Sequence, residues 1–420
     1  MKKAFIVLTL ILLSTNLFAL ASKESESRIV ELWHSNSGKV GEVFDQIISD
    51  FNEGPGKDAG IEIEAIYQGK ANDVLTKVKA ASGTKTLPNI AQMDATSGYD
   101  MSSSDYVVSM DDLSLDLTNI LPLALSGFKY NDKQIAMPFN SSALLLYYNK
   151  TLFDSLGINP PKTMDEMIEV ANALNGKIDY AFAGVPTTSE LTTLLGAQNG
   201  LSYLTNNNNG HSGKATKVLF GENGTYKNFL EKWKLFYQTG MVNNITQGVT
   251  TEFAAKRTAM MLASSSNLST VISTVANNFE VGVAAVPMVD KYATGGVCVG
   301  GGAMYAFQSD EATRTVLEYL ASEDVQMKWA EGTGYIPINT KLYERDDYKA
   351  FLEKNPSFAV AMDAIRNSNK DLTNLWIPSG YQVYYSFQKN VVDVITSKID
   401  IDQGVKEMAD YVQSALDGNV

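Results

Sequence analysis

Cysteine and histidine are nearly absent from this sequence, and each shortage closes off a class of chemistry. Cys298 is the single cysteine, so no disulfide can form within the chain. His34 and His211 are the only histidines, which excludes a multi-histidine metal site and limits acid–base chemistry. Basic residues are also short: 34 lysines and arginines face 47 aspartates and glutamates, a formal charge of −13. A chain this acidic has no general attraction to nucleic acid or to an anionic membrane.

What is present starts with a targeting pattern. Lys2 and Lys3 precede the apolar run Ala4 to Leu13, and small residues close with Ala19-Leu20-Ala21 before Ser22. This reads as a secretory signal cleaved near Ala21, so residues 1–21 are set aside from the fold. The run is shorter than the roughly 20 residues that a membrane span needs. No cysteine follows it to carry a lipid, and no later stretch is apolar enough to cross a bilayer. Removing the signal leaves 32 basic against 47 acidic residues, a charge of −15, on a chain expected in the periplasm or outside the cell.

The remainder alternates strand-like and helix-like segments. "RIVELWHS" reads as a strand, and Val40, Val43, Phe44, Ile47, Ile48 and Phe51 repeat at helical spacing. "IEIEAIYQG", "ANDVLTKVKAA" and "NIAQMD" complete a β-α-β-α-β order, which argues for an α/β lobe with a largely parallel sheet. The same grammar restarts after residue 150. A capping box, Thr163-x-x-Glu166, opens a helix. "LTNNNNGHSG" reads as a polar surface loop, and the strand "TAMMLASSS" and a glycine cluster, "GGVCVGGGAMYAF", follow. Two α/β lobes are expected, with nothing like a flexible linker between them.

"MPFNSSALLLYYNK" (Met137–Lys150) joins a polar, turn-like half to an unbroken apolar run, Leu144 to Tyr148. That makes sense if the chain crosses between lobes here, so that a site-lining turn feeds straight into a buried strand. "VCVGGGAMY" has the same form, and "TGYIP" is a third possible crossing. Ligands of open α/β sheets sit at the carboxyl ends of strands, where small residues let backbone N–H groups approach them.

"LWHS", "PFNSSALLLYYNK", "ASSSNL", "GGGAMYAF" and "TGYIP" together resemble the periplasmic solute-binding proteins of ABC importers. Within that superfamily the chain is most similar to the glycerol-3-phosphate-binding subgroup. The resemblance implies a two-lobed periplasmic-binding-protein fold, type II-like, closing over a solute by hinge motion. It divides the chain into an N-terminal lobe (22–141 with 302–334) and a C-terminal lobe (142–301 with 335–420). It also implies ligand contacts at Ser142, Ser264, Gly302 and Tyr335. Trp33 and His34 end the first strand, at the implied cleft, and Asp94 ends the third.

Three family positions differ. Ala71 stands where the family has a tyrosine, Ala95 where it has a glutamate, and about Ser386 where it has an arginine. Losing an arginine removes a planar, always-charged partner for phosphate, while Asp94 would repel one and accept bonds from hydroxyls. Micromolar binding of glycerol phosphate needs roughly 0.8 kcal/mol from each of about ten atoms, so lost anchors are hard to absorb. A glycerophosphodiester or a sugar, spread over Tyr381, Tyr384 and Tyr385, tolerates the loss better.

The expectation is therefore an exported, monomeric receptor for glycerol-3-phosphate or a glycerophosphodiester, without cofactor, metal or turnover, delivering its solute to a membrane permease. An oligosaccharide receptor is the nearest rival, and a secreted hydrolase is a rival of another class. "GVCVG" has the outline of a nucleophile elbow, but valines flank Cys298 and a strand-like run follows it, not a helix. Asp111-Asp112 and Asp346-Asp347 read as solvated surface, so no acid/base pair is evident.

Overall fold

The computed structural model describes residues 27–186, 191–200, 203–291, 296–369 and 371–420. The signal segment 1–21 lies outside the described residues. The strands are β1 (Arg28–His34), β2 (Ile61–Tyr67), β3 (Ile90–Asp94), β4 (Lys129–Tyr130), β5 (Lys133–Gln134), β6 (Met137–Ser142) and β7 (Leu144–Asn149). They continue with β8 (Tyr180–Ala183), β9 (Val242–Asn243), β10 (Thr258–Ser264), β11 (Val281–Ala285) and β12 (Gly300–Ala306). The helices that matter here are α1 (Gly38–Glu53), α2 (Ala71–Thr84), α3 (Glu311–Leu320), α4 (Glu323–Thr333) and α5 (Gly380–Ile395).

Two five-stranded sheets organise the chain, in the orders β2-β1-β3-β12-β6 and β11-β7-β10-β8-β9. In the first, β1, β2, β3 and β6 run one way and β12 opposes β3 and β6. In the second, β7 opposes β10 and β11. One residue, Ala143, separates β6 from β7, so the chain passes from sheet to sheet in a single step. The carboxyl end of β6 thus meets the carboxyl end of β10, whose Ser264 pairs with Leu144. Helices and a separate apolar core attend each sheet, giving two α/β lobes.

Strand alternation decides what each face buries. Val30 and Leu32 of β1 pack with Phe44, Ile47 and Phe51 of α1 and Trp329 of α4. The opposite face packs Ala91 and Met93 against Val74, Leu75 and Val78 of α2. At roughly 25 cal/mol per Å² of apolar surface, such two-sided burial fixes the register, because a one-residue slip would swap the faces.

Two sequence expectations change. "MPFNSS" is a fully buried strand, not a turn. The Asn140 side chain is paired laterally by Gln92 of β3, and the Ser141 carbonyl accepts from the Ile336 N–H, so the polar half is held as a strand away from solvent. The loop 204–213 is not a surface loop throughout, because Leu204, Thr205, Asn209 and His211 are buried. Tertiary contacts override its polar composition: Leu204 joins the second lobe's core, Asn209 bonds the Thr373 carbonyl, and His211 reaches Lys129 of the other lobe.

Candidate functional site

The junction between the two sheets gathers polar side chains that the interior of a lobe would not tolerate unpaired. The glycines come first. Gly301 has φ +97, and a Cβ there would lie 1.4 Å from the Asn140 carbonyl oxygen. Gly302 pairs with Asp94 on one side and Asn140 on the other, and its Cβ would sit 2.9 Å from the Met93 carbonyl oxygen. Gly300 pairs with Ser142. Only glycine allows this close approach of three strands.

From Asn140 a hydrogen-bonded network spreads into both lobes. Gln92 donates to Asn140 Oδ1 at 2.8 Å and to Asn36 Oδ1 at 3.2 Å. The Tyr335 hydroxyl faces the side chains of Asn140 and Ser266, while its ring stacks on Trp329 at 5.5 Å. Ser266 in turn donates to Ser264 Oγ at 3.0 Å. Ser265 donates its N–H to the Ala143 carbonyl, and the Ala143 N–H donates to Ser265 Oγ. Ile336 donates to the Ser141 carbonyl at 2.7 Å, so the "TGYIP" segment is stitched to the crossing as well.

Ser142, Ser264, Gly302 and Tyr335 therefore share one neighbourhood around Ala143. His34 ends the adjacent strand. It is buried against Phe44 at 5.0 Å, and burial pushes its pKa down, partly opposed by Asp45. Trp33 is not brought to this group. It faces the opposite side of β1 and gives its indole N–H to Glu31 at 2.5 Å. Ala71 opens α2 and Ser386 lies within α5.

Asp94 forms the second half of the junction. Oδ1 accepts from the N–H groups of Thr96 and Ser97 and from the Ser97 hydroxyl, capping a short turn. Oδ2 accepts from the Tyr381 hydroxyl on α5, in the other lobe, at 2.8 Å. Burial raises the Asp94 pKa, the four hydrogen bonds oppose that rise, and none of the groups acting on it is a lysine or arginine. A carboxylate held only by uncharged donors is costly unless every lone pair is met.

Beside it, Trp376 is fully buried in the first lobe's cluster with Val74, Met93 and Tyr305. Its chain neighbours Leu375 and Ile377 belong to the second lobe's core. The segment thus alternates between lobes, and Trp376 reaches across. Gly98 makes room, since a Cβ there would lie 2.0 Å from Trp376 Cε2. Tyr384 shares its hydroxyl with Thr192 at 3.1 Å.

Five buried polar atoms at or near the junction have no hydrogen-bond partner: Asn36 Nδ2, His34 Nδ1, Tyr305 Oη, Trp329 Nε1 and Trp376 Nε1. Asn36, Gln92, Asn140 and Ser266 join the site without having stood out in the sequence. Asn140 and Ser266 stood within quoted motifs, and their polarity beside buried runs was the available signal. Cys298 is buried, its thiol pushed up to about 12 by desolvation, and it precedes β12 in an irregular segment, not within a strand. Among the described residues no three His, Cys, Asp or Glu side chains group as metal ligands. No described helix is long and apolar enough to cross a membrane.

Residues 46–359 match the family model described as bacterial extracellular solute-binding protein. The chain is 27% identical over 347 residues to the sn-glycerol-3-phosphate-binding periplasmic protein UgpB of Brucella melitensis, covering 77% of this chain and 78% of that relative. It is 26% identical over 371 residues to the Rhizobium meliloti protein of that name, covering 83% and 84%. Among solved structures it resembles UgpB of Mycobacterium tuberculosis in complex with glycerophosphocholine, with a TM-score of 0.78 at 18% identity, over 93% of this chain and 99% of that one. A cyclic α-maltosyl-1,6-maltose binding protein from Arthrobacter globiformis matches with a TM-score of 0.78 at 19% identity, over 93% and 100%.

Proposed function

The chain belongs to the bacterial extracellular solute-binding proteins, and from that membership we propose that its junction captures a glycerophosphodiester for an ABC importer. The lobes, divided as 22–141 with 302–334 and 142–301 with 335–420, swing together on the solute. Contacts from both sides stabilise the closed state. Ser142, Ser264, Gly302 and Tyr335 line the wall, His34 and Asp94 complete it, and Trp33 packs beside it against the Trp376 cluster. The closed form then docks on permease subunits, without catalytic turnover. Processing near Ala21 releases the mature chain beyond the membrane.

Asp94 carries the choice of solute. The relatives are named for glycerol phosphate, but here the buried charge at the junction is a carboxylate with no cation acting on it. Such a site disfavours a bare phosphate dianion and tolerates a diester, whose single charge is flanked by ester groups. Unpaired Asn36 Nδ2 is a donor for the oxygens of such a solute. A second reading, a sugar receptor, is favoured by the tyrosine hydroxyls of Tyr335, Tyr381 and Tyr384 gathered without a cation.

Calorimetry of the mature chain against glycerophosphocholine, glycerol-3-phosphate and maltose separates these readings. Tightest one-to-one binding of the diester supports the proposal. Equal or tighter binding of glycerol-3-phosphate removes its basis, and release of choline or phosphate would indicate an enzyme. Ser142→Trp should abolish binding by filling the wall.

A further inference from the structure

His211 stands between the lobes. Its Nδ1 is 3.1 Å from the carbonyl oxygen of Lys129, on the β4–β5 hairpin of the first lobe. Its Nε2 is 3.0 Å from the carbonyl oxygen of Asn374, in the second. The His211 carbonyl accepts from the Asn131 N–H at 3.0 Å, tying the loop to the hairpin a second time. The ring stacks on Trp376, centroids 3.8 Å apart and planes 23° apart. Both ring nitrogens face acceptors, yet a neutral imidazole carries one N–H and can satisfy only one of them.

An imidazolium could donate to both carbonyls, but it would sit 4% exposed, without the water that a charge requires. Burial wins, pushing the pKa down to about 4 against the two carbonyls. No charged side chain acts on the ring. The packed elements carry Lys129, Asp132, Lys133, Lys214 and Asp371, and all five are exposed. Asp94 with Tyr381 and Asp324 with Arg345 are other titratable pairs that bridge the lobes.

We propose that His211 is a pH-sensitive clasp that keeps the lobes closed while its ring is neutral and releases them when it takes a proton. The proposal rests on the reading that the lobes swing apart and together. Opening parts Lys129 from Asn374, wets the ring and returns its pKa toward the free value near 6.5. The closed-state pKa is the depressed one, so closure is fully favoured above about 6.5 and is lost as pH falls toward 4. One unit below 6.5, the open form gains roughly tenfold.

Spin labels on Lys57→Cys and Lys177→Cys, one in each lobe, report the separation by pulsed electron paramagnetic resonance. The mature chain is measured at pH 7.5 and 5.5, with and without glycerophosphocholine. The ratio of short to long distances is expected to fall about tenfold at the lower pH. His211→Gln and His211→Phe should reduce that response to less than twofold. A wild-type ratio that ignores pH, or a His211 variant that keeps the tenfold response, overturns the clasp. Nuclear magnetic resonance of the two histidine rings gives a second check that needs no variant to fold: a His211 midpoint at 6.5 or above also overturns it. Shortening on glycerophosphocholine without a pH response retires the clasp and leaves the receptor reading standing. Failure to shorten with any solute retires the receptor reading.

Discussion

Removing the indole at position 376 and adding a methyl at position 98 should each destabilise the protein, and the two together should not add. Trp376 is fully buried in a cluster of the opposite lobe, so Trp376→Ala should cost about 3–5 kcal/mol. Gly98→Ala gains roughly 1 kcal/mol of helix propensity in the short helix Gly98–Ser102. Against that gain, its Cβ would stand 2.0 Å from Trp376 Cε2 and 2.3 Å from Nε1. Displacing a packed indole costs about 1–3 kcal/mol or more, so the single variant should be destabilised on balance. Once Trp376 is alanine the obstruction is gone, and Gly98→Ala should be neutral or stabilising by up to about 1 kcal/mol. Urea unfolding of the four proteins, followed by circular dichroism, gives the coupling energy, expected at about 2 kcal/mol. Effects that add within about 0.5 kcal/mol would refute the seating of Trp376 on Gly98.

Tyr381→Phe removes the one side-chain bond that Asp94 receives from the other lobe, a hydrogen bond to a charged acceptor contributing about 1.5–3 kcal/mol. Solute affinity should fall at least about tenfold by calorimetry, and an unchanged value would show that closure does not use this bond. Gly301→Ala forces a left-handed backbone onto alanine and drives its Cβ into the Asn140 carbonyl. Insoluble protein or a melting temperature lowered by several degrees is expected, and an unaltered melting curve would contradict the β6–β12 register. Cys298, buried with its thiol held near 12, should resist a thiol-reactive dye at pH 8 in the native state. It should react fully in denaturant, and rapid native labelling would place it at the surface.

The lobes were legible because apolar periodicity is strong in their strands and helices. β1, β2 and β3, with α1 and α2 between them, follow directly from the alternation in Arg28–Asp94. The crossing at Ala143 was legible too, from a polar stretch set against an apolar one. What escaped was the state of the polar half. Asn140 and Ser141 carry no strand signal of their own, and lateral partners such as Gln92 and Ile336, far away in sequence, make them a strand. The loop around His211 escaped for a similar reason. Four consecutive asparagines favour a solvated turn, and contacts distant in sequence, with Lys129 and Asn131 on one side and Asn374 and Trp376 on the other, bury its end. Trp33 stands where a cleft residue would be expected, but alternation along β1 sends it to the α2 side, and Glu31 takes its donor.

The most direct measurement is small-angle scattering of the mature chain during titration with glycerophosphocholine. The radius of gyration should shrink at one equivalent of solute, with the solute recovered intact. An unchanged radius at saturation, or hydrolysed solute, would contradict a receptor that works by folding its two halves onto a guest.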